Sequence, residues 1–477
     1  MQPESNLPRK RHAYTPRRRT LLKLAGLTGI GTAAGVGIST SNAAGSGGDA
    51  APFDVIVIGA GFAGVTAARE LQASGKRTLL LEARDRIGGR TWTSTFQGHM
   101  VEMGGTWVDA KQSLIQAEIK RHGIRILEDP APDSVIFRSS GQFKSFPLEE
   151  AFGRQGELFE RLVAGSRDAF PQPEQPFVRE DLVTELDKLT LQDRLQQLRL
   201  SAEEEDWITP VTAIEGGAAR GGLADLCQTH ALCGYSYMGY IGLNTFRPEG
   251  GMGPLLQAML NSSSAELRLN SPVRSVHDTG SGVTVTTRAG KSYSASAVVV
   301  AVPVNVWKSI RFTPGLPVPH TTATQQTMSI ATGQKFMMNV QGDVGRFVAQ
   351  PPEGHPLLTA VPWAQTSNGL LMAGFSSSAQ LDTRDVAQVQ AALQTLAPAA
   401  RVTAVKSARW GTEEFSQGAW SWMQQGHMSK LLRAVQQPHG RISFATSDIA
   451  SGWGGFVEGA IERGFAAAEE ASRAVAR

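Results

Sequence analysis

One stretch constrains the fold more than any other: Asp54-Val55-Ile56-Val57-Ile58 followed at once by Gly59-Ala60-Gly61-Phe62-Ala63-Gly64. The nearly continuous apolar, β-branched run suits a parallel strand buried on both faces. The glycines open a segment over 62–74 in which Val65, Ala68 and Leu71 recur at helical spacing, with Gly75 as its stop. A second strand expected over 77–81 delivers Glu82 twenty-three residues after Gly59. Gly59, Gly61 and Gly64 permit a tight turn and close backbone approach. The helix N-terminus at Phe62 and Ala63 turns its partial positive charge toward a pyrophosphate, and Glu82 accepts from ribose hydroxyls. A carboxylate in that place disfavours a 2′-phosphate, which argues against NADP.

At 477 residues the chain has room for about two or three domains and a core that needs no disulfide or metal staple. Glycine is 51 of those residues, charged residues are 19% and apolar ones 41%, a balance that fits a tightly turned α/β globule and not a disordered chain. Cys227 and Cys233 cannot supply a four-thiolate zinc site or a disulfide framework, and read as buried thiols. No His-Glu-x-x-His pair, Walker A lysine loop or Gly-x-Ser-x-Gly elbow occurs, so metalloprotease, P-loop and hydrolase chemistries lose their usual residues, and no metal ligand set is expected.

Charge is concentrated at the start. Residues 1–43 carry Arg9, Lys10, Arg11, Arg17, Arg18, Arg19 and Lys23 against Glu4, leaving 39 basic and 42 acidic residues in the remainder. The mature part is therefore slightly acidic and presents no basic face for nucleic acid. A basic region at Arg18-Arg19-Thr20-Leu21-Leu22-Lys23, a Gly-rich apolar run over 24–38 and a small-x-small Ser41-Asn42-Ala43 resemble a twin-arginine export signal over 1–43. The run falls short of the roughly 20 apolar residues that span a bilayer, so no stable span is expected in the mature protein, which is read as periplasmic or exported. Such signals accompany proteins that load a cofactor before export.

After the second strand, Ala83-Arg84-Asp85-Arg86-Ile87-Gly88-Gly89-Arg90-Thr91 supplies another Gly-rich backbone approach with guanidiniums suited to phosphate. Glu102-Met103-Gly104-Gly105-Thr106-Trp107 follows. Near the C-terminus stand Arg441-Ile442-Ser443-Phe444-Ala445-Thr446-Ser447-Asp448 and Ser451-Gly452-Trp453-Gly454-Gly455-Phe456-Val457-Glu458-Gly459-Ala460. In this order the motifs resemble those of the flavin-dependent amine oxidases, the group containing monoamine and polyamine oxidases, over about 52–475.

The resemblance implies an α/β fold: a Rossmann-like FAD-binding domain from 52–132, 247–315 and 405–477, and a discontinuous mixed α+β substrate domain from 133–246 and 316–404. It implies FAD contacts at Ala83, Arg84, Gly88, Gly89, Arg90, Gly104, Gly105, Thr106, Trp107, Val273, Asp448, Phe456 and Val457, besides those of the first glycine turn and Glu82. Asp448 departs from the family's usual Glu, and its contact to the flavin chain is expected to be longer or bridged by water. Independently, the alternation over 283–287 and the apolar run over 297–302 ended by Pro303 read as strands, 149–200 reads as helical, and Glu203-Glu204-Glu205-Asp206 as a solvated helix start. From Phe456 on, a helix to about 474 would direct its N-terminal amides at the flavin's pyrimidine edge.

Three positions carry the chemistry that the resemblance implies. Lys335 matches the lysine that holds a water near flavin N5, and Trp420 and Phe456 match the aromatic pair that flanks the amine. Hydride leaves the α-carbon of a neutral amine for N5, the imine hydrolyses, and dioxygen or an exported electron carrier reoxidises the cofactor. Ala419 stands where members with covalent flavin carry Cys, so noncovalent FAD is expected. Leader and motifs together look most like the bacterial amine oxidases of nicotine and related alkaloid breakdown. The alternatives are a related amino-acid oxidase or desaturase, with Arg247 as a candidate carboxylate binder, and a flavin-bearing protein without turnover.

Overall fold

The apolar run becomes the strand Phe53–Ile58, with Val55, Ile56 and Val57 wholly buried. The structure, a computed structural model, describes residues 53–476, so the expected signal segment lies outside the described residues. Phe53–Ile58 pairs in parallel with Thr78–Leu81 on one side and Ser292–Val300 on the other. Beyond Thr78–Leu81 lies Glu266–Arg268, and beyond Ser292–Val300 come Val283–Thr287, Val273–Asp278 and Arg311–Thr313. The nine residues of Ser292–Val300 outrun the antiparallel Val283–Thr287, which pairs with their first half; Ile442–Phe444 takes the second half in parallel. The C-terminal motif is thereby sewn beside the first glycine turn.

The helices Phe62–Ala73 and Val457–Val475 cover one face of this sheet, where Val55, Val57, Ala67, Leu71, Ile461 and Ala468 share a core. The turn into the first helix shows why glycine is needed. Gly59 has φ +102°, and a Cβ there would lie 2.6 Å from the Ala301 carbonyl oxygen; a Cβ at Gly64 would lie 1.9 Å from that of Gly59.

A second sheet runs in the order Arg401–Ala408, Gln334–Gln341, Gly369–Ser376, Thr359–Thr366, Phe347–Ala349, Ser134–Ser139, Gln142–Phe146. Arg401–Ala408 pairs along its length with Gln334–Gln341, so a division at 404/405 falls inside a strand. The helices Leu148–Leu162 and Ala202–Ile214 pack on the strand Ser134–Ser139 of this sheet, and Leu223–Leu232 packs against Tyr237–Gly242. Ser201 and Glu204 form a capping box at the start of Ala202–Ile214. The acidic start is only partly solvated: Glu203 accepts from Ser139 Oγ at 2.6 Å and the buried Asp206 pairs with Arg138.

Candidate active site

A single cavity of about 680 Å³ runs from the first glycine turn to the helices of the second layer. Of the residues expected at the cofactor, Gly59, Gly61, Phe62, Ala63, Glu82, Ala83, Arg84, Gly88, Gly89, Arg90, Gly104, Gly105, Thr106, Trp107, Val273, Phe456 and Val457 line it, as do Lys335 and Trp420. Residues more than three hundred positions apart in sequence thus meet on one wall.

At the nucleotide end, Gly61 and Gly89 face each other. A Cβ on Gly89 would stand 3.6 Å from Gly61 Cα, filling the slot between the two loops. No side chain caps the helix Phe62–Ala73 and no acid sits in its first turn, so its N-terminal amides are left for an anion. The Glu82 carboxylate accepts from the Ala60 amide at 2.8 Å and the Arg84 amide at 2.9 Å, which fixes it between the turn and the second loop. Val457–Val475 likewise has no side-chain cap: its first-turn acid, Glu458, accepts instead from the amides of Leu114 and Ile115 at 2.8 and 2.7 Å. Uncapped helix ends, opposed glycines and a fixed carboxylate fit FAD.

Lys335 lies on Gln334–Gln341, opposite Phe375 in the neighbouring strand, and is only 2% exposed. Its ammonium donates to the Gly104 carbonyl at 3.0 Å and to Thr106 Oγ1, with the Trp107 ring 4.7 Å away. An ammonium has three donors, so one N–H remains for the cavity. Burial pulls the Lys335 pKa down to about 7, against the upward pull of the Glu102 and Asp129 carboxylates. Trp420 is fixed by its indole N–H, which donates to the Ile214 carbonyl at 2.9 Å, and stands edge-on to Phe375 at 6.0 Å.

Two expected cofactor residues do not line the cavity. Gly64 serves the packing of helix on turn. Asp448 is fully buried: it accepts from Arg90 Nη1 at 2.7 Å and from the Val304 amide at 3.0 Å. One methylene shorter than Glu, its carboxylate is held by Arg90, whose guanidinium lines the cavity, and by the Val304 amide. Arg247 is absent from the cavity wall as well, since it pairs with Asp129 and lies 4.4 Å from the Trp363 ring.

Sequence reasoning missed Phe375, Tyr240, Glu215 and Asp225, all on the cavity wall. The Gly216-Gly217 pair that ends the helix just after Glu215 was the only local signal. Cys227 and Cys233 are both buried with their thiols pushed up to about 12, and neither lines the cavity, whereas Ala419 does.

The family described as flavin containing amine oxidoreductase matches residues 62–472, which takes in the second sheet, all of the first sheet but the strand Phe53–Ile58, and most of the cavity wall. The chain belongs to this family. It is 34% identical over 431 residues to nicotine dehydrogenase of Pseudomonas putida, covering 88% of each chain. It is 33% identical over 422 residues to pseudooxynicotine dehydrogenase of a Pseudomonas species, covering 86% of this chain and 84% of the relative. Among solved structures, a triple variant of putrescine oxidase made to redesign its cofactor binding superposes with a TM-score of 0.75 at 25% identity, over 88% of this chain and 99% of that one. Cyclohexylamine oxidase from Brevibacterium oxydans shares the fold, with a TM-score of 0.72 at 20% identity over 89% and 100% of the two chains. This amine oxidoreductase is an enzyme that uses FAD to oxidise an amine.

Proposed function

We propose that this amine oxidoreductase is exported through the twin-arginine route and oxidises a compact nicotine-type amine to its imine with noncovalently held FAD. Dioxygen or an exported electron carrier then takes the electrons. The observation that carries this reading is the continuity of one cavity from the glycine turn to the wall formed by Trp107, Lys335, Phe375, Trp420 and Phe456. The names of the nicotine and pseudooxynicotine dehydrogenases support the substrate class.

When bound, FAD supplies the two-electron acceptor chemistry. The first glycine turn, Glu82, Arg84 and Arg90 would hold its nucleotide end, and the uncapped N-terminus of Val457–Val475 would favour negative charge at its other end. Trp420 and Phe456 exclude water from the amine and disfavour its ammonium form, which keeps the nitrogen lone pair free. The unused Lys335 N–H can position a water or stabilise negative charge on the acceptor side. Each arginine on the cavity wall already has an acidic partner: Arg84 with Glu413, Arg90 with Asp448, Arg288 with Glu414. With Arg247 also paired outside the wall, no described arginine stands ready for a substrate carboxylate, which favours an amine over an amino acid. Anaerobic titration with simple amines tests this: the flavin absorbance should bleach with amines and not with amino acids, and bleaching by amino acids alone would overturn it.

A further inference from the structure

A chain of hydrogen bonds along the cavity wall fixes the orientation of two side-chain amides. Gln155, on the helix Leu148–Leu162 and 1% exposed, stands 2.8 Å from the Trp207 carbonyl oxygen and 2.9 Å from the Gln350 side chain, and accepts from the Tyr237 O–H. A carbonyl oxygen only accepts, so the Gln155 atom beside Trp207 is Nε2, and Oε1 is left for Tyr237. Both N–H bonds of Nε2 are then spent, one on the Trp207 carbonyl and one on Gln350, which must present its Oε1. Gln350 is thereby turned so that its own Nε2, with two donors, is left over. Among the described residues no protein acceptor takes them, and this half-buried side chain lines the cavity.

The register of the second sheet places that donor. Lys335 pairs with Phe375 and Phe375 with Thr359, while Gln350 directly follows Ala349, the partner of Ala360, which brings it level with Thr359. Cross-strand partners project from the same face, and Lys335, Phe375, Thr359 and Gln350 all line the cavity. One row across four strands thus begins at the lysine and ends at a free amide. Its surroundings offer that amide little else. The Thr359 hydroxyl is spent on the Ala349 carbonyl at 3.0 Å, and the other cavity residues of these segments are apolar: Phe152 and Leu148, one and two turns before Gln155, and Val348, two residues before Gln350. An amide donor among apolar groups is costly to desolvate unless an acceptor arrives with the ligand.

We infer that Gln350 determines specificity: its Nε2 donates to an uncharged acceptor, a ring nitrogen or a carbonyl oxygen, at the end of the substrate remote from the oxidised amine. This rests on the reading that the cavity oxidises an amine, and it narrows the substrate to amines that carry such an acceptor. Gln155 is the positioning residue, because it holds the Gln350 Oε1 and so aims the donor. A substrate without the acceptor leaves the amide unpaired in an apolar place, whereas one that carries it completes the chain from Tyr237. A protonated ring nitrogen has no lone pair to offer, so preference for a pyridyl amine falls as pH drops through the ring nitrogen's own pKa.

The test uses the flavin-loaded enzyme with matched pairs whose linkers run from two to four carbons: pyridin-3-yl against phenyl alkylamines, and 3-acetylphenyl against 3-ethylphenyl alkylamines. In at least one pair the acceptor-bearing amine should have a kcat/KM about tenfold above its partner, and the series that shows it tells ring nitrogen from carbonyl. Gln350→Met should bring that ratio within about twofold, and Gln155→Met should lower it to an intermediate value. A second readout needs no turnover: the Kd, from the flavin difference spectrum, of the same pairs built as tert-alkyl amines, which have no α-hydrogen. The ratio of Kd values should show the same preference and lose it in Gln350→Met. Should Gln350→Met fail to fold, Gln350→Glu, which still accepts from Gln155 but has no N–H to give, is read in the same way. A wild-type ratio near one in every pair, or an undiminished ratio in a folded Gln350 variant, overturns the assignment. In each case the phenyl amines still bleach the flavin, so the amine-oxidising reading survives. If no amine of either kind bleaches it, that reading fails and the role of Gln350 with it.

Discussion

Replacing Trp420 separates a catalytic wall from ordinary core. Trp420 faces the cavity and is only partly buried at the edge of the core that holds Trp363, so its truncation leaves little new void: the main losses are one hydrogen bond to Ile214 and one edge-on contact with Phe375. At about 1 kcal/mol for the bond and about 0.5–1.5 kcal/mol for the aromatic pair, Trp420→Ala should cost about 2 kcal/mol of stability. Trp363 provides the contrast. It is 1% exposed within a core with Val101, Met337 and Ala373, and Trp363→Ala should cost ~3–5 kcal/mol. Kinetically the order reverses. Without its flat wall the amine is neither desolvated nor aligned, and anaerobic flavin reduction at saturating amine should slow by about ten- to a hundredfold in Trp420→Ala, equivalent to roughly 1.4–2.7 kcal/mol. Trp420→Phe keeps the wall and loses only the N–H, and should stay within about threefold of wild type. The assay pairs denaturant unfolding with stopped-flow bleaching for all three variants. If Trp420→Ala proves as unstable as Trp363→Ala while its folded fraction is reduced by amine at the normal rate, Trp420 is core and the wall has no part in the chemistry.

Lys335→Met should slow reoxidation by the electron acceptor more than reduction by substrate, and equal losses would make the lysine structural. Because its pKa is lowered to about 7, Lys335 is cationic below that pH and neutral above it, so wild-type reoxidation should decline as pH rises through about 7 and the variant's should not. Acid precipitation should release FAD into the supernatant, since no cysteine thiol lines the cavity; flavin retained in the pellet contradicts noncovalent binding. Changing Arg18 and Arg19 together to Lys should hold the folded, yellow protein in the cytoplasm, because the export signal is read as an arginine pair and not as charge. Unchanged export in a fractionation assay would indicate another route.

The nucleotide end of the site was legible in the chain because its physics is local. Strand, tight turn, helix N-terminus and Glu82 lie within thirty residues, and each has a backbone requirement that few residue types satisfy, as the 1.9 Å approach at Gly64 shows. Lys335, Trp420 and Phe456 were found by motif, yet what each can do depends on neighbours brought in from elsewhere: Gly104 and Thr106 take two of the lysine's donors, and Ile214 fixes the indole. For Asp448, a sequence cannot reveal that Arg90, 358 positions away, reaches its carboxylate. Glu215 and Asp225 were not legible at all. Acids near helix ends are ordinary on a surface, and only the packing puts both on the cavity wall with no basic partner among the described residues. Short-range backbone geometry was thus determined by the sequence alone, whereas the pairing, burial and protonation of charged side chains were decided by the tertiary structure, because those energies depend on which distant groups share a low-dielectric space.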